Sequence, residues 1–212
     1  MTKLIFLRHG LSVTNKERRF CGQMDAPLSD IGMIQAEAAG KYIRENLKID
    51  KIYSSDLTRA YDTVKPAADA LKMEITTRND LREVDVGKWQ GRLVEAVKQE
   101  EPEAYEYYKE NPGLSQFPGG ESYKMMQERA LKAIEEIVKE NDGKTVLIAT
   151  HGGIIRVLRC AWAGKSIEEV KDIPHVANAS LTIVNYSNDK AEFEKTDFYD
   201  YLPIKITEAP IK

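Results

Sequence analysis

The chain has 212 residues, 42% of them hydrophobic and 31% charged, with a formal net charge of −3. That length suits one α/β unit with a sizeable core, and the slight acidity speaks against the strongly basic surface that nucleic acids or membrane headgroups attract. No apolar stretch approaches the ~20 residues of a membrane helix, so neither nucleic acid nor membrane is an expected partner.

Leu4-Ile5-Phe6-Leu7 follows Met1-Thr2-Lys3 directly and reads as a buried strand, with no signal-peptide pattern before it. The only cysteines, Cys21 and Cys160, lie far apart and in no metal-type spacing. Two reduced thiols in a cytoplasmic protein are the expectation. The strand delivers Arg8-His9-Gly10 and then Leu11-Ser12-Val13-Thr14-Asn15 into a loop. Residues 18–28 form a polar, irregular connection. Ser29 then caps a helix whose Ile31, Ile34, Ala38, Tyr42, Ile43 and Leu47 recur at helical spacing. Lys51 to Ser55 is a second strand, and Asp56 is the expected N-cap of a helix to Leu71 that Pro66 kinks or restarts.

A third strand spans Glu74 to Thr77, and Asn79-Asp80 is a turn. The segment from Leu81 to Gly91 has no clean period and reads as a loop. Residues 93–111 are helical, acidic and broken at Pro102, with Tyr105, Tyr107 and Tyr108 as packing residues. Ser122 opens an amphipathic helix in which Met125 and Met126 read as core filler. Lys144 to Thr150 is a second apolar run, and it delivers His151-Gly152-Gly153 much as the first delivers His9-Gly10. A helix follows to Ala163, then a short one capped by Ser166. Leu181–Tyr186 and Phe193–Phe198 form a hairpin around Asn188-Asp189. No linker divides the chain, which reads as one domain over residues 1–212. Strands alternate with helices, so the class is α/β with a largely parallel sheet.

Several familiar α/β chemistries are missing. There is no G-x-G-x-x-G after the first strand, no Gly-Lys-Ser/Thr ending of a P-loop, and no G-x-S-x-G elbow. Metal-dependent phosphatases need clustered carboxylate and imidazole ligands, whereas the turns after these strands offer arginines. Guanidinium forks bind phosphate bidentately and remain charged. Arg8 and Arg59 are so placed, while Arg156 lies deeper in its helix and reads as structural. His9 beside Arg8 suits a neutral nitrogen nucleophile, because neighbouring cations disfavour the imidazolium. His151 would donate to the transferring oxygens. A carboxyl must protonate the leaving oxygen and later deprotonate water. Glu83, in the aperiodic loop, is the candidate, with Asp85 as its alternative. His175, before Asn178-Ala179-Ser180, either contacts substrate or caps the sheet.

These blocks, in this order, resemble the histidine phosphatase superfamily, the phosphoglycerate-mutase-like proteins. The likeness runs from Arg8–Asn15 through Gly22, Pro27-Leu28-Ser29, Ser54–Ala60, Glu83 with Gly87–Gly91, and Pro118–Ser122 to Thr150–Gly153. It implies a three-layer α/β/α sandwich with a mostly parallel central sheet, and a phosphohistidine on His9. Arg8, Arg59 and His151, with Gly152 beside it, would form the phosphate pocket, and Glu83 would be the proton donor. Asn15 and Ser12 would add hydrogen bonds, Gly22 and Gln23 would lie at the rim, and a lid at about residues 88–122 would set substrate choice. No metal or organic cofactor is implied. The partner would be a small phosphorylated metabolite, and the protein a monomer or homodimer.

Mutases that resemble this chain carry a longer lid with paired arginines for a second anionic group. Between Glu83 and His151 the only arginines here are Arg92 and Arg129, which are not adjacent. The lid carries Glu95, Glu100, Glu101, Glu103, Glu106 and Glu110. A doubly anionic substrate would be poorly neutralised there, so a phosphatase is expected. It resembles α-ribazole, broad-specificity and metal-independent phosphoserine phosphatases without favouring one. The alternatives are a mutase and a non-catalytic phospho-ligand-binding member.

Overall fold

The computed structural model describes residues 1–187 and 190–203. The expected turn at Asn188-Asp189 and the tail after Pro203 lie outside them. Six strands form one sheet in the order β3-β2-β4-β1-β5-β6. Strands β1 (Thr2–Arg8), β2 (Lys51–Ser55), β3 (Ile75–Arg78) and β4 (Thr145–Thr150) run parallel to one another, and β5 (Leu181–Ser187) and β6 (Lys190–Phe198) are added beside β1 by antiparallel pairing.

The central strands are apolar without interruption because both faces are covered. Ile5, Leu7, Leu147 and Ala149 pack with Ala39, Ile43, Val64 and Ala67 of α2 (Asp30–Asn46) and α3 (Thr58–Leu71). Leu4, Phe6, Val146 and Ile148 point the other way, towards α6 (Tyr123–Glu140) and α7 (Gly152–Trp162). Period-two alternation of the strands therefore sorts the core into two layers and yields the three-layer sandwich. Among the described residues no helix is long and apolar enough to cross a membrane.

Four local expectations need correction. Residues Ile31 and Ile34 do not mark the buried face of α2, where Ile34 is exposed and Gly32, Gln35, Ala36, Ala39, Gly40 and Ile43 are buried. The reason is close approach: a Cβ on Gly40 would lie 2.7 Å from Pro66 Cβ and 2.9 Å from the Ala67 nitrogen of α3. Small residues make that contact, and the large ones are turned aside. Pro66 sits inside one continuous helix. Asp56 does not cap α3; its carboxylate pairs with Arg82 at 2.6 Å. The cap comes instead from Asp25, which accepts from the Thr58 nitrogen at 2.8 Å and hydroxyl at 2.7 Å. Met126 is buried but Met125 is half exposed. Adjacent helical residues point about 100° apart and cannot both face one core.

The segment expected to be a lid forms α4 (Val94–Glu100) and α5 (Pro102–Glu110). Trp89 anchors it, with ring centroids 5.0 Å from Phe20, 5.8 Å from Tyr108 and 5.5 Å from Phe117. The indole donates to Glu101 at 3.1 Å. A short helix, α1 (Val13–Lys16), is capped by Ser12.

Candidate active site

Strands β1 and β4 are in register, Arg8 against Thr150, so the residues that follow emerge side by side at the carboxyl edge of the sheet. That edge is where open α/β sheets bind ligands. The His9 and His151 rings lie 5.1 Å apart between centroids. A cavity of about 1100 Å³ opens over this edge, and Arg8, His9, Asn15, Gly22, Arg59, Glu83 and Gly152 line it.

His9 is buried, and its Nδ1 lies 2.7 Å from the Gly10 carbonyl. A carbonyl can only accept, so Nδ1 carries the proton and Nε2 keeps its lone pair. Its backbone carbonyl is held by Asn178 Nδ2 at 3.1 Å and the Ala179 nitrogen at 3.2 Å. Burial holds the imidazole pKa well below its usual value, and the positive charges of Arg59 and Arg8 lower it further. His9 is therefore neutral at physiological pH, as a nucleophile requires.

His151 is fully buried against His9 rather than on the cavity surface. Its Nε2 meets the Ser55 hydroxyl at 2.8 Å, and its Nδ1 has no hydrogen-bond partner among the described residues. Ser55 Oγ already accepts from the Leu57 nitrogen, which favours hydroxyl donation to Nε2 and leaves Nδ1 protonated. Its pKa too is pushed well down, by burial and then by Arg59, His9 and Arg8.

Arg59 is buried at 1% exposure and donates to the Met24 and Gly22 carbonyls at 2.8 and 2.7 Å. Together with the Asp25 cap, these bonds hold the 22–25 loop on the start of α3. Arg59 forms no ion pair among the described residues, and its Nε has no partner there. A buried guanidinium without a carboxylate is costly unless an anion arrives. Arg8 donates to the Val176 carbonyl at 2.5 Å.

Glu83 accepts from the Gly153 nitrogen at 2.9 Å and the Val84 nitrogen at 2.9 Å. The first turn of α7 thus fixes the carboxylate with an N–H at the positive end of the helix dipole. Glycine at 153 leaves room for the carboxylate in this position, since a Cβ there would lie 2.9 Å from Glu83 Cδ and closer still to Oε1. Asp85, the alternative acid, does not line the cavity; its Oδ1 accepts from the Gly87 nitrogen.

Two expected ligand residues face elsewhere. Ser12 is fully buried, its hydroxyl spent on the Asn15 amide nitrogen and on Asn15 Oδ1 at 2.6 Å. That bond leaves the Asn15 Nδ2 as the donor end. Gln23 does not line the cavity and donates to the Glu83 carbonyl at 3.1 Å.

Sequence reasoning missed the support beneath Glu83. Arg129 donates to the carbonyls of Asp80, Arg82 and Glu83 at 2.7, 3.0 and 3.3 Å, and is held bidentately by Glu121. Glu121 also accepts from the Asp85 nitrogen at 3.0 Å. Only Glu121 had a sequence signal, lying in the Pro118–Ser122 block.

The lid does not present most of its acidic side chains to the cavity. Of the six lid glutamates only Glu95 lines the cavity, together with Lys16, Arg18, Lys98 and Lys109. Glu100 and Glu101 pair with Arg92, and Glu106 with Lys109. Arg156, expected to be structural, is buried yet lines the cavity. So does His175, which stays exposed; its pKa is lowered to about 4, by partial loss of hydration and then by the Arg156 and Arg8 charges.

Residues 4–198 match the family model described as the histidine phosphatase superfamily (branch 1). Phosphoserine phosphatase 1 of Hydrogenobacter thermophilus is 35% identical over 186 residues, covering 87% of each chain. The metal-independent phosphoserine phosphatase of Arabidopsis thaliana is 30% identical over 195 residues, covering 89% of this chain and 82% of that protein. The solved structure of Bacillus stearothermophilus YhfR superposes with a TM-score of 0.90 at 29% identity, covering 95% of this chain and all of that one.

Proposed function

The chain belongs to the histidine phosphatase superfamily and is a phosphatase, and we propose that it hydrolyses small phosphomonoesters through a phosphohistidine on His9. The observation that carries this reading is the pinned, neutral His9, with Nε2 free beside buried Arg59 and with Glu83 fixed on Gly153.

In the first step Nε2 of His9 bonds to phosphorus as the bond to the leaving oxygen breaks, and Glu83, as the carboxylic acid, gives that oxygen its proton. Arg8, Arg59 and Asn15 hold the equatorial oxygens, and the unpartnered His151 Nδ1 donates to a phosphoryl oxygen seated beside His9. In the second step water attacks the phosphohistidine, Glu83 takes its proton, and inorganic phosphate leaves with His9 again neutral. The phosphate charge is met by guanidinium and imidazole groups, in keeping with the metal independence named for the Arabidopsis relative.

The test is phosphate release, in chelator, from nitrophenyl phosphate, phosphoserine, 3-phosphoglycerate, α-ribazole 5′-phosphate and sugar phosphates. The same tubes are checked for 2- and 3-phosphoglycerate interconversion. Release without interconversion, and loss of both turnover and acid-labile protein phosphate in His9→Ala, are expected. Interconversion with little release, or full turnover in His9→Ala, would overturn the reading.

A further inference from the structure

Arg156 is 6% exposed, yet no carboxylate lies within ion-pair distance of it among the described residues. Its Nε donates to the Ile173 carbonyl at 2.8 Å and its Nη2 to the Lys171 carbonyl at 3.1 Å. These two bonds fix the guanidinium plane, and Nη1 is left without a hydrogen-bond partner among the described residues. Arg156 lines the same cavity as His9 and Glu83. Neutral carbonyls compensate a buried cation poorly, so Arg156 lacks a paired anion even though Glu17, Glu83, Glu95 and Asp172 also line the cavity.

The helix places this charge. Gly152, Gly153 and Arg156 share one face of α7, since residues three and four apart are neighbours on a helix. Gly152 lies against Arg8 in the phosphate pocket, and Gly153 holds Glu83. Arg156 therefore stands about one turn, ~5.4 Å along the axis, beyond the phosphate end. Glu83, which would protonate the leaving oxygen, is bonded to the first turn of the same helix through Gly153. Tyr108 and Tyr123, whose phenols are hydrogen-bonded to each other and both feel the Arg156 charge, line the same cavity.

We propose that Arg156 is a specificity-determining residue that binds a carboxylate on the leaving group, so that the preferred substrates are phosphomonoesters of short hydroxy acids. The inference rests on the phosphatase reading above and extends it from the phosphate to the leaving group. One helical turn matches a carboxylate two or three carbons from the ester oxygen. Nη1 supplies a charge-assisted hydrogen bond whose direction the two carbonyl bonds have already set.

The experiment is a cycle between Arg156 and the substrate carboxylate, using 3-phosphoglycerate and its counterpart without the carboxylate, glycerol 3-phosphate. For the unaltered enzyme kcat/KM is expected to favour 3-phosphoglycerate at least tenfold. In Arg156→Met that ratio is expected to fall to about one, through a rise in KM for 3-phosphoglycerate. In Arg156→Lys, which keeps the charge, part of the preference returns. An unaltered enzyme with no preference for the carboxylated ester overturns the inference without any variant. So does a ratio unchanged in Arg156→Met, the signature of a purely structural role. If the unaltered enzyme releases phosphate from no ester, nitrophenyl phosphate included, the phosphatase mechanism fails instead.

Discussion

Replacing Gly153 by alanine tests the acid assignment without touching the acid. The added Cβ would lie 2.9 Å from Glu83 Cδ, and nearer to Oε1. Ordinary carbon contact is 3.4–4 Å, so the carboxyl group has to retreat by about 0.5–1 Å or more. The obstructing atoms end a flexible side chain, and alanine is favoured over glycine in a helix by roughly 1 kcal/mol, so the fold is expected to persist. Misplacement of a catalytic group by 1 Å can cost about 10²-fold, and a general acid contributes about 10²–10⁴-fold. We therefore expect kcat for alkyl phosphates to fall about 10–100-fold in Gly153→Ala. Turnover of nitrophenyl phosphate, whose leaving group departs without a proton, should fall far less. Glu83→Gln should give the same pattern more strongly. The assay is steady-state phosphate release from both substrates, with a thermal melt to establish folding. Equal losses on the two substrates in a folded variant would refute Glu83 as the group that protonates the leaving oxygen.

The two buried histidines make stability depend on pH. Both pKa values are held well below 6.5 by burial and nearby arginines, so below about pH 6.5 the unfolded chain binds protons that the native chain refuses. Stability is then complete above that pH and is lost as pH falls towards the native pKa values. Tm measured from pH 7.5 to 5.5 should fall, and His9→Gln should show a shallower fall; identical slopes would refute the linkage. Far from the site, Gly40→Ala should overpack the contact between α2 and α3 and cost about 1–3 kcal/mol. Denaturant unfolding should show a lower midpoint while KM stays put, and an unchanged midpoint would mean that the two helices separate at little cost.

The sequence alone determined the alternation of strands and helices, because buried parallel strands must be apolar on both faces and amphipathic helices must cover them. It also singled out the groups we propose to react: Arg8-His9 and His151 stand at the ends of two apolar runs, and Arg59 follows a third strand-like stretch. What it left open depends on residues far apart in the chain. Asp25 caps α3 across 33 residues, Arg129 and Glu121 hold the Glu83 loop, and Gly153 fixes the Glu83 carboxylate across 70. No local period encodes such bonds. The lid's glutamates counted alike in the sequence, yet only folding showed that most face away from the cavity while lysines line it. Arg156 was equally illegible. Its depth in α7 suggested a structural residue, and only the packing of Lys171 and Ile173 against two of its nitrogens left the third without a partner. Chemistry is written in residue types, but the direction in which a charge points is set by tertiary contacts.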